Sequence, residues 1–305
     1  MCVGVIGGSG FIGSHVVDKL IDAGHEVTVF DIMTPHRRDV RHIVTDISDQ
    51  GRTTVALAGG YDAVYILAAV ANVNDVYHIP VESMNTNVMA VTHVLEAARR
   101  TGIKRVILAS TTWVYGMTDV LEVDEETPLS INKTNHVYTA SKVAAEMACV
   151  AYQKLYGIET TILRYGIPYG PRARMGTVLA TFVARAIKKQ PIVIQGDGSA
   201  WRRFVYVEDL ALGNVAALKP EAANQIINLE GVEKVSVRQV ADKVKASFPD
   251  AEIRYIEARS GDLDAKLVSG AKAKKLLGWE PLVGFDEGSE SYIRWVKGAS
   301  AAVPA

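Results

Sequence analysis

The chain has 305 residues, enough for one large α/β domain or two smaller ones with a substantial buried core. Lys plus Arg number 33 against 34 Asp plus Glu, a balance that excludes an electrostatic footprint for nucleic acid or an anionic membrane. Two cysteines give neither a disulfide framework nor a zinc spacing, no apolar run approaches the ~20 residues of a membrane span, and no signal peptide is visible. The expectation is a soluble, reducing-compartment, cytoplasmic protein without a metal, in which any anionic ligand is met by local arginines or helix ends.

Residues 3–6 read as a short apolar strand that stops at Gly7-Gly8-Ser9-Gly10-Phe11-Ile12-Gly13. Residues 14–23 have helical spacing of Val16, Val17, Leu20 and Ile21, and 26–30 read as a strand with Asp31 at its end. Strand, glycine turn, helix, strand, acid is the βαβ context of a dinucleotide fingerprint. Glycines let the backbone turn tightly and approach a pyrophosphate, while the helix N-terminus offers free N–H groups and positive potential. Asp31 is placed to accept hydrogen bonds from an adenosine ribose and disfavours a 2′-phosphate, which points to NAD rather than NADP. The cluster His36-Arg37-Arg38 either meets such a phosphate, lines the pyrophosphate side or is a solvated loop.

The alternation continues with a strand at 42–44, a helix near 52–57 and a strand at 63–67 that ends in Ala68-Ala69. Small residues there fit either a ligand close to the backbone or tight packing. A long helix over about 81–100 follows, then a strand at 104–110 running into Thr111-Thr112-Trp113-Val114-Tyr115-Gly116. A polar loop over 119–135 leads to a helix at 138–156 and a strand at 159–163, followed by Arg164-Tyr165. Such alternation predicts a parallel sheet with right-handed crossovers, whose ligands sit outside the carboxyl ends of the strands. The glycine loop, Asp31, Asp46, Ala68-Ala69, Ser110-Thr111 and Arg164-Tyr165 each follow a strand, so they converge on one crevice.

After Pro171 the elements become shorter and mixed: helices near 176–189, 208–218, 236–246, 271–277 and 287–295, strands near 192–194, 202–206, 226–229 and 252–256, and a tail from 299. The fold class is therefore α/β, a Rossmann doubly wound parallel sheet over 1–170 with a smaller C-terminal α/β substrate-binding domain over 171–305. Some chain exchange between the two is expected.

Within the 138–156 helix, Tyr138 and Lys142 are four apart and share one face. An ammonium beside a phenol favours the phenolate, making a general base from a group whose free pKa is ~10.

The glycine loop Gly-x-x-Gly-x-x-Gly, the run Ala109-Ser110-Thr111-Thr112-Trp113-Val114-Tyr115-Gly116 and Tyr138-x-x-x-Lys142 occur in that order. Gly196-Asp197-Gly198, Arg202 before Phe204-Val205-Tyr206-Val207-Glu208-Asp209, Arg259-Ser260-Gly261-Asp262 and Leu276-Leu277-Gly278-Trp279-Glu280-Pro281 follow. Over nearly its whole length the chain resembles the extended short-chain dehydrogenase/reductase family, in the branch of nucleotide-sugar epimerases and dehydratases typified by UDP-glucose 4-epimerase. The resemblance implies a triad in which Tyr138 transfers the proton, Lys142 lowers its pKa and binds the nicotinamide ribose, and Thr111 hydrogen-bonds the reacting sugar hydroxyl. Thr111 is otherwise a strand-end hydroxyl satisfying its own backbone. For NAD the resemblance implies Gly7, Gly10, Phe11, Ile12, Asp31, Asp46, Ile47, Leu67, Ala68, Ala69, Asn87 and Tyr165, beside Tyr138 and Lys142. Asn87 is otherwise an ordinary exposed helix residue. For the substrate it implies Thr111, Thr112 and Tyr138, with Arg202 and Arg259 toward the diphosphate, where guanidinium forks suit phosphate oxygens, and Asp262 as a further substrate contact. Arg172 and Arg174 either rim the sugar pocket or face water.

Two departures narrow the chemistry. Dehydratases and decarboxylases of the family carry an acidic residue or pair directly after the catalytic Thr, where this chain has Thr112-Trp113. Ile167-Pro168 replaces a frequent Asn that faces the substrate. Trp113 narrows the sugar pocket, stacks on a hexose or packs in the core. The implied activity is NAD-dependent C4 epimerisation of a UDP-hexose or UDP-hexuronic acid through a 4-keto intermediate. The alternatives are an NAD(P)-dependent nucleotide-sugar reductase or dehydrogenase, then a 4,6-dehydratase or a non-catalytic NAD-binding protein. The resemblance also implies a homodimer through a four-helix bundle of the 81–100 and 138–156 helices, with apolar outer faces; Val143, Met147, Val150 and Ala151 fit such a face and fit core packing equally.

Overall fold

The computed structural model describes residues 1–257 and 265–301. They form two compact units. The first comprises Met1–Tyr165, Leu210–Leu229 and Lys266–Glu280, and the second Gly166–Asp209, Glu230–Ala265 and Pro281–Ala305.

The first unit is built on a seven-stranded, wholly parallel sheet. Its spatial order is Gln225–Leu229, Glu159–Tyr165, Arg105–Thr111, Ala63–Ile66, Cys2–Ile6, Glu26–Asp31, Arg41–Val44. The inner strands are continuous apolar runs such as Ala63–Ile66 and Val106–Leu108, buried on both faces as helix-covered parallel strands must be. Successive strands run outward from Cys2–Ile6 in one direction and then cross to Ala63–Ile66 on its other side. The carboxyl ends of those two strands therefore flank the switch point where such sheets bind ligands. Two strands run further than expected. Arg105–Thr111 and Glu159–Tyr165 continue together because Thr111 pairs with Tyr165, and Tyr165 pairs in turn with Leu229.

The expected long helix is three pieces: Pro80–Met84, a π-helical turn Asn85–Met89, and Ala90–Thr101, which ends at Gly102 in the left-handed conformation. A short helix Val73–His78 precedes it, and Thr112–Met117 forms a 3-10 helix. The helix Val137–Tyr156 starts at His136, whose ring nitrogen accepts from the Tyr138 N–H, and stops at Gly157, φ 72°. Its buried residues are Tyr138, Thr139, Ser141, Lys142, Ala145, Glu146 and Cys149. A core-facing stripe is ordinarily apolar, and burying polar groups costs free energy unless each is hydrogen-bonded. Five of these seven are polar, which marks the helix as more than scaffold.

The second unit holds a three-stranded sheet, in order Lys234–Ser236, Trp201–Tyr206, Ile167–Tyr169, and the parallel pair Ile192–Gln195 and Ile253–Ile256. Helices Val178–Ile187 and Val237–Ser247 pack on one another, the latter capped by a reciprocal Ser236–Gln239 box. Tyr169, Phe204, Tyr206 and Phe285 meet as an aromatic cluster in its core. Among the described residues no helix is long and apolar enough to cross a membrane, and no group of acidic, His and Cys side chains could hold a metal.

Candidate active site

The glycine loop leaves the strand Cys2–Ile6 through Gly7, which has φ 81° and whose N–H donates to Phe30 O at 2.9 Å. A Cβ on Gly7 would stand 2.4 Å from Ala68 N, so only glycine lets this loop touch the one after Ala63–Ile66. Gly10 begins the helix Phe11–Asp22 with no side chain to cap it, leaving the helix N-terminus without a side-chain acceptor. Gly13 lies so close that a Cβ would be 2.1 Å from Gly7 O. Phe11 is buried beneath this turn, and Ile12 is half-buried.

Asp31 shapes the same loop. Its Oδ2 accepts from Ser9 N and its Oδ1 from Met33 N, both at 2.9 Å. Further lone pairs remain on a carboxylate that accepts one bond per oxygen, enough for a ribose diol. Arg37 is engaged by Asp39 in a fork of 2.9 and 2.6 Å, with Asp18 at 3.8 Å, so the nearby guanidinium is already matched to carboxylates. Asp46 is exposed, and hydrogen bonding to Ser48 holds its carboxyl below the usual range. Ile47 is buried, with its carbonyl against His93 Nδ1 at 3.0 Å.

Asn87 is not an exposed helix residue. The π-helical turn directs it inward, where Oδ1 accepts from Val70 N at 2.9 Å and Nδ2 donates to Val70 O at 2.9 Å and Ser141 Oγ at 3.0 Å. It thus ties the loop after Ala69 to the helix that carries Tyr138 and Lys142. Ser141 Oγ in turn donates to Tyr138 O at 2.8 Å.

Tyr138 is 9% exposed and Lys142 4%. Lys142 Nζ donates to Ala109 O at 2.9 Å, which pins it to the strand end that carries Ser110 and Thr111. Burial pulls the Lys142 ammonium down to about 8, against the opposing pull of Glu146. Thr111 caps the 3-10 helix, its Oγ1 accepting from Trp113 N at 3.2 Å. A hydroxyl that accepts in this way keeps its own proton to donate. Trp113 lies edge-on to the rings of Tyr138 and His136, each at 6.3 Å, so it belongs to the surroundings of the phenol rather than to the deep core. Thr112 is half-buried beside it.

Within the first unit, hydrogen bonds tie Ser9 to Asp31, Asn87 to Val70 and Ser141, Ser141 to Tyr138, and Lys142 to Ala109 two residues before Thr111. Tyr165 is buried with its hydroxyl donated to Asn214 Oδ1, and burial pushes the phenol up, so that side chain stays neutral. Arg202 lies in the second unit on strand Trp201–Tyr206, half-buried, with Nη1 on Trp201 O at 2.8 Å. Arg259 and Asp262 lie outside the described residues. Sequence reasoning placed Ser110 and Arg164 at strand ends on the crevice but missed Glu146, which joins them in a buried ion-pair network behind Lys142. Its signal was an acid eight residues after Tyr138, on the same helical stripe.

Residues 3–229 match the family described as the NAD dependent epimerase/dehydratase family. The chain belongs to that family. It is similar to a putative UDP-glucose 4-epimerase of Methanocaldococcus jannaschii, 33% identical over 304 residues, covering 96% of this chain and 97% of that protein. It is also similar to UDP-glucuronic acid decarboxylase 1 of Xenopus tropicalis, 32% identical over 302 residues, covering 96% of this chain and 71% of the relative. Among solved structures, a UDP-glucose 4-epimerase with UDP-glucose from Thermotoga maritima superposes with a TM-score of 0.91 at 31% identity, covering 98% of this chain and all of that one.

The protein is thus an NAD-dependent enzyme of the epimerase/dehydratase family, with the Rossmann-type sheet expected. Its residues fit the cofactor. Gly7 and Gly13 make a close-packed cradle, Gly10 leaves a helix N-terminus open to a pyrophosphate, and Asp31 offers carboxylate oxygens.

Proposed function

We propose that this chain is an NAD-dependent nucleotide-sugar 4-epimerase acting on a UDP-hexose or UDP-hexuronic acid. The observation that supports the reading is that Lys142 Nζ bonds Ala109 O two residues before Thr111, while Thr112 and Trp113 follow Thr111 and the Trp113 ring stands edge-on to Tyr138 at 6.3 Å. Elimination of water or loss of a carboxylate calls for a further positioned acid or base beyond the tyrosine. Trp113 stands instead, edge-on to the phenol.

In this reading Tyr138, as phenolate, takes the proton of the sugar C4 hydroxyl and later gives it back. Lys142, fixed by Ala109 O, keeps a positive charge one helical turn away and so favours the phenolate. Thr111 donates to the reacting oxygen. NAD held at this site would supply the hydride acceptor and donor for C4, with no net redox change. The 4-keto sugar turns over between the two transfers and is protonated by Tyr138 on the way out. Gly7, Gly10, Phe11, Ile12, Asp31, Asp46, Ile47, Leu67, Ala68 and Ala69 hold the cofactor, with Asn87 and Tyr165 supporting it. Arg202 and Arg259 meet the diphosphate, and Asp262 is a further contact to the substrate. A cytoplasmic homodimer completes the proposal. Exposed Val81, Met84, Met89 and Met147 lie on pieces of helix that pack together, an apolar surface a second copy would cover.

The test is a purified sample assayed for bound NAD by absorbance and extraction, then for interconversion of UDP-glucose with UDP-galactose and of the two UDP-uronic acids. Interconversion without added cofactor supports the proposal. Release of CO2 from UDP-glucuronate, or stoichiometric oxidation of NADPH by a keto-sugar, would replace it with a decarboxylase or a reductase.

A further inference from the structure

The proposed triad uses two of the five buried polar side chains of helix Val137–Tyr156. Ser141 is occupied by Asn87 and Thr139 carries only a hydroxyl, which leaves Glu146 as the one further charged group. Glu146 is 5% exposed, and its carboxylate accepts three hydrogen bonds. They come from Arg164 Nε at 3.1 Å, Arg164 Nη2 at 2.8 Å and Ser110 Oγ at 2.5 Å. Arg164, 4% exposed, gives its Nη1 to Tyr115 OH at 3.0 Å and lies over that ring at 5.1 Å, and Tyr115 OH donates on to Asn228 Oδ1 at 2.9 Å.

A buried ion pair is weak evidence for stability, because desolvation offsets most of its coulombic gain. Its position suggests another use. Ser110 stands between Ala109, whose carbonyl accepts from Lys142, and Thr111. Glu146 is one turn beyond Lys142. Two parallel ties, Lys142 to Ala109 and Glu146 to Ser110, therefore join consecutive strand residues to consecutive helical turns. The planar guanidinium of Arg164 fixes the second tie from the neighbouring strand.

We propose that Glu146, clamped by Arg164 and Ser110, is a positioning residue that holds Thr111 in register with Lys142 and supplies negative charge one turn from the Lys142 ammonium. This rests on the triad reading above. The groups that act on Lys142 from its own helix are Glu146, Cys149 and, one turn before it, Tyr138. Burial pushes the Cys149 thiol up to about 12, so it stays uncharged near neutrality. Strand Arg105–Thr111 presents the Ala109 carbonyl, and strand Glu159–Tyr165 presents Arg164 behind Glu146. Neutralising Glu146 leaves the guanidinium uncompensated near Lys142, so Lys142 loses its proton at lower pH.

The experiment follows the Lys142 resonance in full-length, NAD-bound enzyme labelled at lysine 13Cε, assigned by its loss in Lys142→Met. In Glu146→Gln the titration midpoint should fall by at least one pH unit, and turnover of the UDP-sugar at least tenfold with KM within threefold. Ser110→Ala keeps both charges, so its midpoint should hold while turnover falls three- to tenfold. A folded Glu146→Gln enzyme with the wild-type midpoint and turnover overturns the proposal. If Glu146→Gln does not fold, wild-type turnover in Ser110→Ala overturns it. If the wild type turns over no UDP-sugar, the functional reading fails separately and the lysine midpoint alone decides: lowered, it supports the proposal, and unchanged, it sinks it.

Discussion

Replacing Gly7 by alanine and Gly10 by alanine perturbs one loop in two different ways. Gly7 sits at φ 81°, where an L side chain costs roughly 1–2 kcal/mol. Its new Cβ would fall 2.4 Å from Ala68 N and 2.8 Å from Ala68 Cα, both backbone atoms, so the neighbouring loop has to move. Overpacking of that kind costs about 1–3 kcal/mol. Gly7→Ala should therefore lose about 2–5 kcal/mol of folding free energy, a large share of the ~5–15 kcal/mol typical of a domain. Gly10 has φ −75°, open to any residue, and its Cβ would meet only Gly7 O at 3.3 Å. Gly10→Ala should fold within about 1 kcal/mol of wild type. The added methyl nevertheless stands at the helix N-terminus where a pyrophosphate must approach, and NAD affinity should drop by about 30-fold, near 2 kcal/mol. Urea unfolding of NAD-stripped protein gives the first quantity and titration calorimetry with NAD the second. Gly10→Ala binding NAD as tightly as wild type would refute the seating of the pyrophosphate. An unchanged urea midpoint in Gly7→Ala would refute the steric argument.

Lys142→Met should abolish turnover by at least about a hundredfold, the usual scale of lost acid–base chemistry, yet raise stability at pH 7 by on the order of 3 kcal/mol. The gain arises because burial lowers the folded-state ammonium from 10.5 to about 8, so keeping it charged destabilises the fold below that value. Between about pH 8 and 10.5 the unfolded chain binds more protons than the folded one, so wild-type stability should rise with pH there and the advantage of Lys142→Met should vanish. Denaturation curves of both proteins across that window check the sign. Asn87→Ala strips the partners of Val70 N–H and C=O, a loss of about 1–3 kcal/mol for buried polar groups; hydrogen exchange at the Val70 amide should quicken, and protection equal to wild type would contradict the tie. Arg202→Ala should raise KM for the UDP-sugar by about 10- to 100-fold with kcat within threefold, the pattern of lost uniform binding; inhibition by free UDP should weaken in parallel, and unaltered kinetics would remove Arg202 from the diphosphate site.

Where the determinant is local, the sequence was readable. The glycine loop and Asp31 form a contiguous βαβ pattern, and Tyr138 with Lys142 needs only helical periodicity to share a face. The π-helical turn Asn85–Met89 escaped because its cause lies at Val70 and Ser141, 17 and 54 positions away from Asn87. Glu146 escaped likewise: read alone, an acid in a helix is a surface residue, and Arg164 was legible as a strand-end residue on the crevice but not as the partner of Glu146, because only the packing of that helix on two strands buries both. The short strands Ile167–Tyr169 and Lys234–Ser236 exist because Trp201–Tyr206 offers them edges, which no three-residue propensity encodes.

The strand Gln225–Leu229 completes the edge of the large sheet only after the chain has left it at Tyr165 and returned at Leu210. On a ribosome, then, the NAD-binding unit cannot close when its first 165 residues have emerged. Until some sixty more are made, Glu159–Tyr165 presents a bare row of backbone donors and acceptors, the kind of edge on which chains aggregate. Buried groups wait for the same segment: Arg105 donates to Ala217 O, Tyr65 to Asn214 O and Thr161 to Ala222 O. A fragment cut after residue 165 would carry the glycine loop, Asp31, Thr111, Tyr138 and Lys142 and still lack a finished sheet. Completion of the cofactor unit therefore waits on residues from the second half of the chain.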